Sequence, residues 1–461
     1  MTLFLRGGRK TFGQVSDSVS ASSKTPVSQP ALSKSQSQDD DLSQIEVLPQ
    51  YLEVKELIEN KFPLIFVTGG AGTGKSTFIR WLDNEFKGTT LVCAPTGIAA
   101  LTISGKTIHS LCRFPPSWIV DDDIKPHPKS LAKHAKILVI DEISMVNANL
   151  LDAMNRFFQV NRDSKEPFGG ISVVMVGDLF QLPPIVTHVT KPLFKENYQS
   201  PKFFAAHSIQ ESQFHVVELT KAFRQMDQNF VDLLGNIREG TKLSETLRVL
   251  NTSCAITDDP PEGTIWLSPR HLDTERVNSG RLETLSGEIR QYHGVTTGQF
   301  YEKQLPVPIT VELKVGAQVM MAKNGKEWVN GSVGTVTELL TDRIKVRLTK
   351  LQKIVEVPIG IWEQYDYRFN EESRAIERIV VGSYSQLPVV LGWAITIHRS
   401  QGLTLDRVHL DLGQGAFETG QTYVALSRCR SISTLTLTRA IRSDDIKVDP
   451  ESSAFYAEIR G

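Results

Sequence analysis

The chain has 461 residues, more than one ordinary hydrophobic core supports, so two or three domains are expected. Hydrophobic residues make up 40% and charged residues 22%, with a net charge of -1, which excludes a wholly disordered chain and leaves any nucleic-acid partner to a local basic groove. The four cysteines are scattered without a Cys-x-x-Cys pair, and no apolar run reaches the length of a membrane span, so reduced intracellular thiols are expected, with no structural zinc and no membrane partner.

Residues 1–44 read as a disordered tail rich in Ser, Gln and Asp. The first sixteen residues are basic, apolar and free of acids, as in an organelle-targeting peptide, but Asp17 ends that pattern early. From about residue 46 the texture is globular. A helical stretch, LPQYLEVKELIEN, leads into the strand PLIFVTG, the loop GAGTG and the helix KSTFIRWLDNEF. Further apolar strands follow at 89–95, 136–141 and 172–178. Short apolar strands alternating with helices predict a parallel sheet covered on both faces. The stretch 114–128, FPPSWIVDDDIKPHP, holds too many prolines for regular structure and reads as an insert. Near 310–360, Asn-Gly pairs at 324–325 and 330–331 precede alternating runs, which predict hairpins and a small antiparallel barrel. Parallel texture returns at VVLGWAITIH and RVHLDL.

GGAGTGKS (69–76) matches G-x-x-x-x-G-K-[ST] between a strand and a helix. Gly70, Ala71, Gly72, Thr73, Gly74, Lys75, Ser76 and Thr77 form the expected phosphate cradle, with backbone N–H groups and a helix N-terminus turned toward the anion. Lys75 reaches the terminal phosphates and Ser76 ligates magnesium in this reading. ILVIDEIS ends in two acids. Asp141 is placed to hold magnesium, and Glu142 to act as the general base toward water. Together these motifs imply nucleoside triphosphate hydrolysis. No guanine-reading Asn-Lys-x-Asp is present, since Asn60-Lys61-Phe62-Pro63 lacks the acid. Two later arginines, in ELTKAFRQ and TYVALSRCR, are of the type that neutralises charge on a transferring phosphoryl group. VGDLFQLPP raises its own question, because a buried strand ends there in an acid and an amide pinned by two prolines. An amide can donate to a phosphate and accept from water, and Pro183 and Pro184 stiffen the loop.

The ordered set GGAGTGKS, APTGIAA, KTIHS, DEISMV, VGDLFQLPP, LTKAFRQ, TIHRSQGLTL and YVALSRCR resembles superfamily-1 helicases of the B branch. DEISMVNANLLDAMNRFF followed by PFGG narrows the resemblance to the petite-integration-frequency (PIF) helicase family over roughly residues 45–440. The resemblance implies an α/β protein with two RecA-like domains, ATP between them and single-stranded DNA across both. It implies translocation in the 5′→3′ sense, with duplex or fork DNA as the unwound partner, and a role in replication, repair or recombination; a monomer is the expected state.

Carried over by position, Gln181 contacts the γ-phosphate, Arg224 and Arg428 reach the same phosphate from the second domain, and Gly402 lies near the nucleotide. Thr96, Gly97, Thr107, His109 and His398 sit in the strand-contact motifs. Phe114 or Phe180 could insert between bases, with core packing the alternative. The resemblance divides the chain into a first domain at 45–215 with a fork-meeting wedge at 114–128, a second domain at 216–305 and 385–445, a barrel insert at 306–384 and a tail at 446–461. One departure concerns adenine: DLSQIEVLPQ keeps Gln50 at nearly the right distance from the P-loop without the family's surrounding motif. Two other classes stay open, a P-loop switch without unwinding activity and an RNA translocase. The compartment expected is cytoplasm or nucleoid in a bacterium, nucleus or mitochondrion in a eukaryote.

Overall fold

The computed structural model describes residues 45–127, 131–225, 227–300 and 305–460. The N-terminal tail and its targeting alternative therefore lie outside the described residues, as does Pro128 at the end of the wedge.

Six parallel strands build the first sheet: β1 (Leu64–Thr68), β2 (Thr90–Ala94), β3 (Lys106–Thr107), β4 (Ile137–Ile140), β5 (Ser172–Gly177) and β6 (Phe214–Glu218). Their spatial order is β3-β2-β4-β5-β1-β6. Every residue of β1, β2, β4 and β5 is buried, which is why their sequences run as near-continuous Val, Ile and Leu rather than alternating. The order matters for chemistry. β1 lies beside β5, with Thr68 opposite Gly177, and β5 lies beside β4, with Met175 opposite Ile140. The loops carrying the P-loop, Asp178 and Asp141 thus leave three neighbouring strands at one carboxyl edge, where open α/β sheets bind ligands.

A second parallel sheet of five strands has the order Ala394–Thr396, Ile265–Ser268, Val408–Leu410, Leu435–Leu437, Ala255–Ile256. Among the described residues the antiparallel strands form three ladders. The largest runs Ile354–Pro358, Arg343–Leu348, Val333–Leu339, Gln318–Met321, Val389–Leu391. Its last strand lies past residue 384, beyond the expected insert. The hairpin Gly360–Asn370 with Ala375–Gln386 leaves that ladder and joins Val295–Gly298 instead. This hairpin is long enough to reach back to the first sheet. There the Tyr367 hydroxyl bonds both the N–H and the carbonyl of Val92, each at 3.2 Å, on a stretch of β2 that short β3 leaves unpaired.

Two further boundaries differ from expectation. The first sheet continues past residue 215, because β6 runs to Glu218 and pairs with β1 along its whole length. Residues 446–461 are not merely a tail. They hold the helix Pro450–Arg460, whose Phe455 ring stacks on Phe204 at 4.4 Å and whose Arg460 bonds Glu218 at 2.8 Å.

The wedge segment is irregular but tied down. Asn149 bonds both the N–H and carbonyl of Ile119, at 3.0 and 2.9 Å, and Asn161 accepts from the His127 N–H at 2.8 Å. Phe114 is buried edge-on against Phe157, and Phe180 is buried under Arg238 and Tyr456. Both phenylalanines are core residues here rather than wedges between bases.

Candidate nucleotide site and nucleic-acid face

The P-loop folds as its glycines require. Gly74 caps the helix Lys75–Glu85 at φ +84°, a conformation that side chains resist. Gly72 has the same φ, and a Cβ there would stand 2.6 Å from the Cβ of Arg224. Its missing side chain is what lets the segment after β6 press against the loop. The Phe223 N–H donates to the Gly72 carbonyl at 2.9 Å, which fixes that approach. Lys75 is turned onto its own loop and donates to the carbonyls of Gly69 and Gly70 at 2.9 and 3.0 Å. Burial lowers its pKa, opposed by Asp178, Glu142 and Asp141. Thr73 bonds the Gly70 carbonyl at 2.9 Å, and Ser76 stands exposed at the start of the helix.

Asp141 and Glu142 end β4. The Asp141 N–H donates to the Cys93 carbonyl at 2.9 Å, continuing the ladder with β2, and the Glu142 N–H donates to the Asp141 carboxylate at 2.8 Å. Glu142 adopts a left-handed φ of +49°, an uncommon conformation for a side-chain-bearing residue and one that recurs at functional turns. Burial raises the pKa of both acids. For Asp141 the neighbouring Glu142 charge adds to the rise, while for Glu142 the cations Lys75 and Arg428 oppose it.

Gln181 is buried, and its N–H donates to the Asp178 carbonyl at 3.1 Å. Its side chain meets a residue that motif reading did not single out. The Gln401 amide donates to Glu142 Oε2 at 3.1 Å and to Gln181 Oε1 at 3.1 Å. One NH₂ group from the second sheet's region thus spends both protons holding together the two residues expected to handle water.

Two guanidinium groups approach from the same side. Arg428 is 1% exposed and donates to the carbonyls of Val424, Ser400 and Leu403 and to the Ser427 hydroxyl. Arg224 donates to the Ser427 carbonyl at 3.1 Å and reaches the Gly402 carbonyl at 3.5 Å. Among the described residues neither has a carboxylate within ion-pair distance, whereas buried Arg238 has Asp178 at 3.0 Å. Burial lowers the pKa of both unpaired arginines, and the Arg224 charge pushes that of Arg428 further down, to about 9. Arg428 fully buried and Arg224 half-buried, both without a counter-ion, are costly, and a bound polyanion removes that cost.

Tyr423 links the halves directly. Its hydroxyl accepts from the Ala71 N–H at 2.8 Å and donates to Asp178 at 2.9 Å. Tyr423 and Gln401 lie within TYVALSRCR and TIHRSQG, so the quoted stretches already contained them. Arg238 lies on the ordinary helix Gln228–Glu239 and left no signal of its own. Gln50 lies on the helix Pro49–Glu59, and it is its neighbour Tyr51 whose hydroxyl approaches the Gly74 carbonyl, at 3.5 Å.

The expected DNA-contact residues gather beyond the ends of adjacent strands. Thr96 and Thr107 follow β2 and end β3, and Ala94 pairs with Thr107. Each hydroxyl accepts a backbone N–H at 3.3 Å, capping the short helices Gly97–Thr102 and Ile108–Cys112, which place Gly97 and His109 in their first turns. His398 is exposed on the turn after Ala394–Thr396, three residues before Gln401. A nucleic-acid contact candidate and the Glu142–Gln181 bridge therefore share one turn.

Residues 43–248 match the model of the PIF1-like helicase family. The chain is 32% identical to the ATP-dependent DNA helicase Pif1 of Bdellovibrio bacteriovorus over 435 residues, covering 91% of this chain and 93% of that protein. The chain belongs to the PIF1-like helicase family. It is also 32% identical over 486 residues to the ATP-dependent DNA helicase PIF1 of Emericella nidulans, covering 90% of this chain but 64% of that longer protein. The chain thus spans less than two thirds of the fungal family member. Among solved structures, a Bacteroides sp Pif1 in complex with ADP-AlF4 superposes with a TM-score of 0.84 at 34% identity, covering 90% of this chain and 97% of that one. That family member shares the α/β architecture with two RecA-like domains.

Proposed function

We propose that this protein is an ATP-dependent DNA helicase that translocates 5′→3′ on single-stranded DNA and unwinds duplex or forked DNA in replication, repair or recombination. The observation that carries the reading is the pair of arginines without a carboxylate partner, half-buried Arg224 and buried Arg428, gathered with Gln401 against the P-loop, Glu142 and Gln181. Such a set attracts a polyphosphate and discharges the negative charge that builds as the terminal phosphoryl group leaves. Lys75 would swing from its own loop carbonyls to the phosphates. Glu142 would take the proton of the attacking water while Gln181 orients it.

Magnesium fits this chemistry. Among the described residues no cluster of three or more metal-binding side chains exists, so the chain offers the exposed Ser76 hydroxyl and the buried Asp141 carboxylate. That sparse set suits an ion that keeps several waters and is held mainly by substrate phosphates. Bound there, it would supply charge neutralisation on the phosphates.

DNA as the strand, the 5′→3′ direction and the wedge role of 114–128 rest on family membership. Thr96, Gly97, Thr107, His109 and His398 are the proposed contacts, holding phosphates without reading sequence. One chain carries both arginines and the P-loop, which supports a monomer as the catalytic unit. Four free, buried cysteines suit a reducing intracellular compartment, and among the described residues no helix is long and apolar enough to cross a membrane. The test is unwinding of a duplex carrying only a 5′ tail or only a 3′ tail, in DNA and in RNA. Efficient unwinding of the 5′-tailed DNA alone is expected. Activity confined to the 3′ tail overturns the direction, and activity confined to RNA tails overturns the substrate.

A further inference from the structure

We propose that Tyr423 is a positioning residue for hydrolysis: its hydroxyl docks the segment bearing Arg428 onto the P-loop and so sets where that guanidinium stands. The proposal rests on the reading of the site as an ATPase.

Tyr423 is 4% exposed and sits on the helix Gln421–Leu426, one helical turn before Ser427 and Arg428. This short segment meets the first sheet's loops at three points. Gly420 caps it at φ +75°, and a Cβ there would stand 2.5 Å from the Phe180 carbonyl, so the cap lies flat on the backbone of Phe180 and Gln181. At the far end the Ser427 carbonyl accepts from Arg224 and from Gln225, at 3.1 and 3.3 Å. Between them the Tyr423 hydroxyl bonds the Ala71 N–H and the Asp178 carboxylate.

The direction of the hydroxyl proton is determined. An ionised carboxylate only accepts, so the proton points at Asp178 and the oxygen lone pairs face Ala71. Asp178 is itself immobilised. Burial alone would raise its pKa, but Arg238, Lys75 and the Tyr423 hydroxyl outweigh that and hold it below the usual carboxylate range. Arg238 donates to Asp178 at 3.0 Å and lies over the rings of Phe180 and Tyr456 at 4.5 and 4.7 Å. The hydroxyl is therefore aimed by a fixed anion, and it fixes the P-loop and the arginine segment against each other. A reacting group displaced by about 1 Å loses about 10²-fold in rate, so a single lost dock can matter.

The experiment compares Tyr423→Phe, Arg428→Ala and their double variant in the full chain, with Tyr384→Phe as a matched control. Tyr384 is likewise buried, and its hydroxyl bonds the carbonyls of Val307 and Pro308, away from the cleft. Steady-state ATPase at saturating single-stranded DNA gives kcat and KM, a fluorescent ATP analogue gives affinity, and thermal unfolding reports folding. Tyr423→Phe is expected to lower kcat about 10- to 100-fold with ATP affinity within about threefold of the parent. The double variant is expected to be no slower than Arg428→Ala alone, because the hydroxyl acts through that arginine. A Tyr423→Phe enzyme within about twofold of the parent, a loss matched by Tyr384→Phe, or losses that multiply in the double variant would each overturn the proposal. A parent that binds the analogue without hydrolysing ATP overturns the ATPase reading and this proposal with it. A hydrolysing parent with an unaffected Tyr423→Phe overturns the proposal alone.

Discussion

Two of the polar junctions between the first sheet and the later chain are built on opposite principles. At the hairpin junction each charge meets its opposite. Lys106 pairs with Asp366 at 2.7 Å, and Arg378 pairs with Asp83 at 2.9 Å while lying over the Tyr367 ring. The Phe369 ring stacks on His134 at 3.4 Å, and the Tyr367 hydroxyl saturates a bare stretch of β2. At the nucleotide junction Lys75, Arg224 and Arg428 have only carbonyl and hydroxyl oxygens, and the acids Asp141 and Glu142 crowd one another. A junction complete in itself serves cohesion. A junction left with unmatched charge on both sides is complete only when something charged enters it.

Four substitutions sharpen this contrast. Lys75→Ala should abolish hydrolysis while single-strand binding persists, since the phosphate loop and the proposed strand-end DNA contacts are separate surfaces; ATPase and DNA-binding titrations on one preparation check this. Equal loss of both would erase the distinction. Arg428→Ala should lower kcat by about 10³–10⁵ with far less change in ATP affinity, the range of an arginine finger. Hydrolysis within a few-fold of the parent would make it a structural cation after all. Gln181→Ala should cost about 10²–10³ in DNA-stimulated rate, or about 2.7–4 kcal/mol, by removing a preorganised donor and leaving Gln401 with one partner. An ATPase measurement across a single-stranded DNA titration decides it. At the other junction, Tyr367→Phe should spare kcat and instead cost stability, about 1–3 kcal/mol, because it strands the buried N–H and carbonyl of Val92. Denaturant unfolding beside a kcat measurement checks this, and a kcat loss larger than the stability loss would merge the two junctions.

What the sequence disclosed was local in the chain. The P-loop, the two acids after β4 and the amide after β5 each depend on a strand ending in a turn, and strand ends are legible from a run of Val, Ile and Leu. The α/β class followed from the same runs. What stayed hidden was long-range. Gln401 meets Glu142 across 259 positions and Tyr423 meets Ala71 across 352, and no periodicity encodes such meetings. The alternating runs near the Asn-Gly pairs disclosed the ladder at 333–358, but not the hairpin Gly360–Asn370 with Ala375–Gln386 or its reach to Val92. β6 was not read as a strand, and the domain boundary at 215 fell inside it, because its residues FHVVE are only partly buried at an edge, where the apolar signal fades. The helix Pro450–Arg460 mixes polar and apolar residues and reads as a tail until Phe204 and Glu218 are seen beneath it.

That helix sets an order of events on the ribosome. The side of the first sheet at Phe204 and Glu218 is made early, but Phe455, Tyr456 and Arg460 that cover it are made some 240 positions later. At a typical 5–20 residues per second, the patch stays uncovered for tens of seconds while the second sheet emerges. The nascent chain therefore carries an aromatic surface that its own synthesis must outlast, and a chain halted before residue 455 keeps that surface bare.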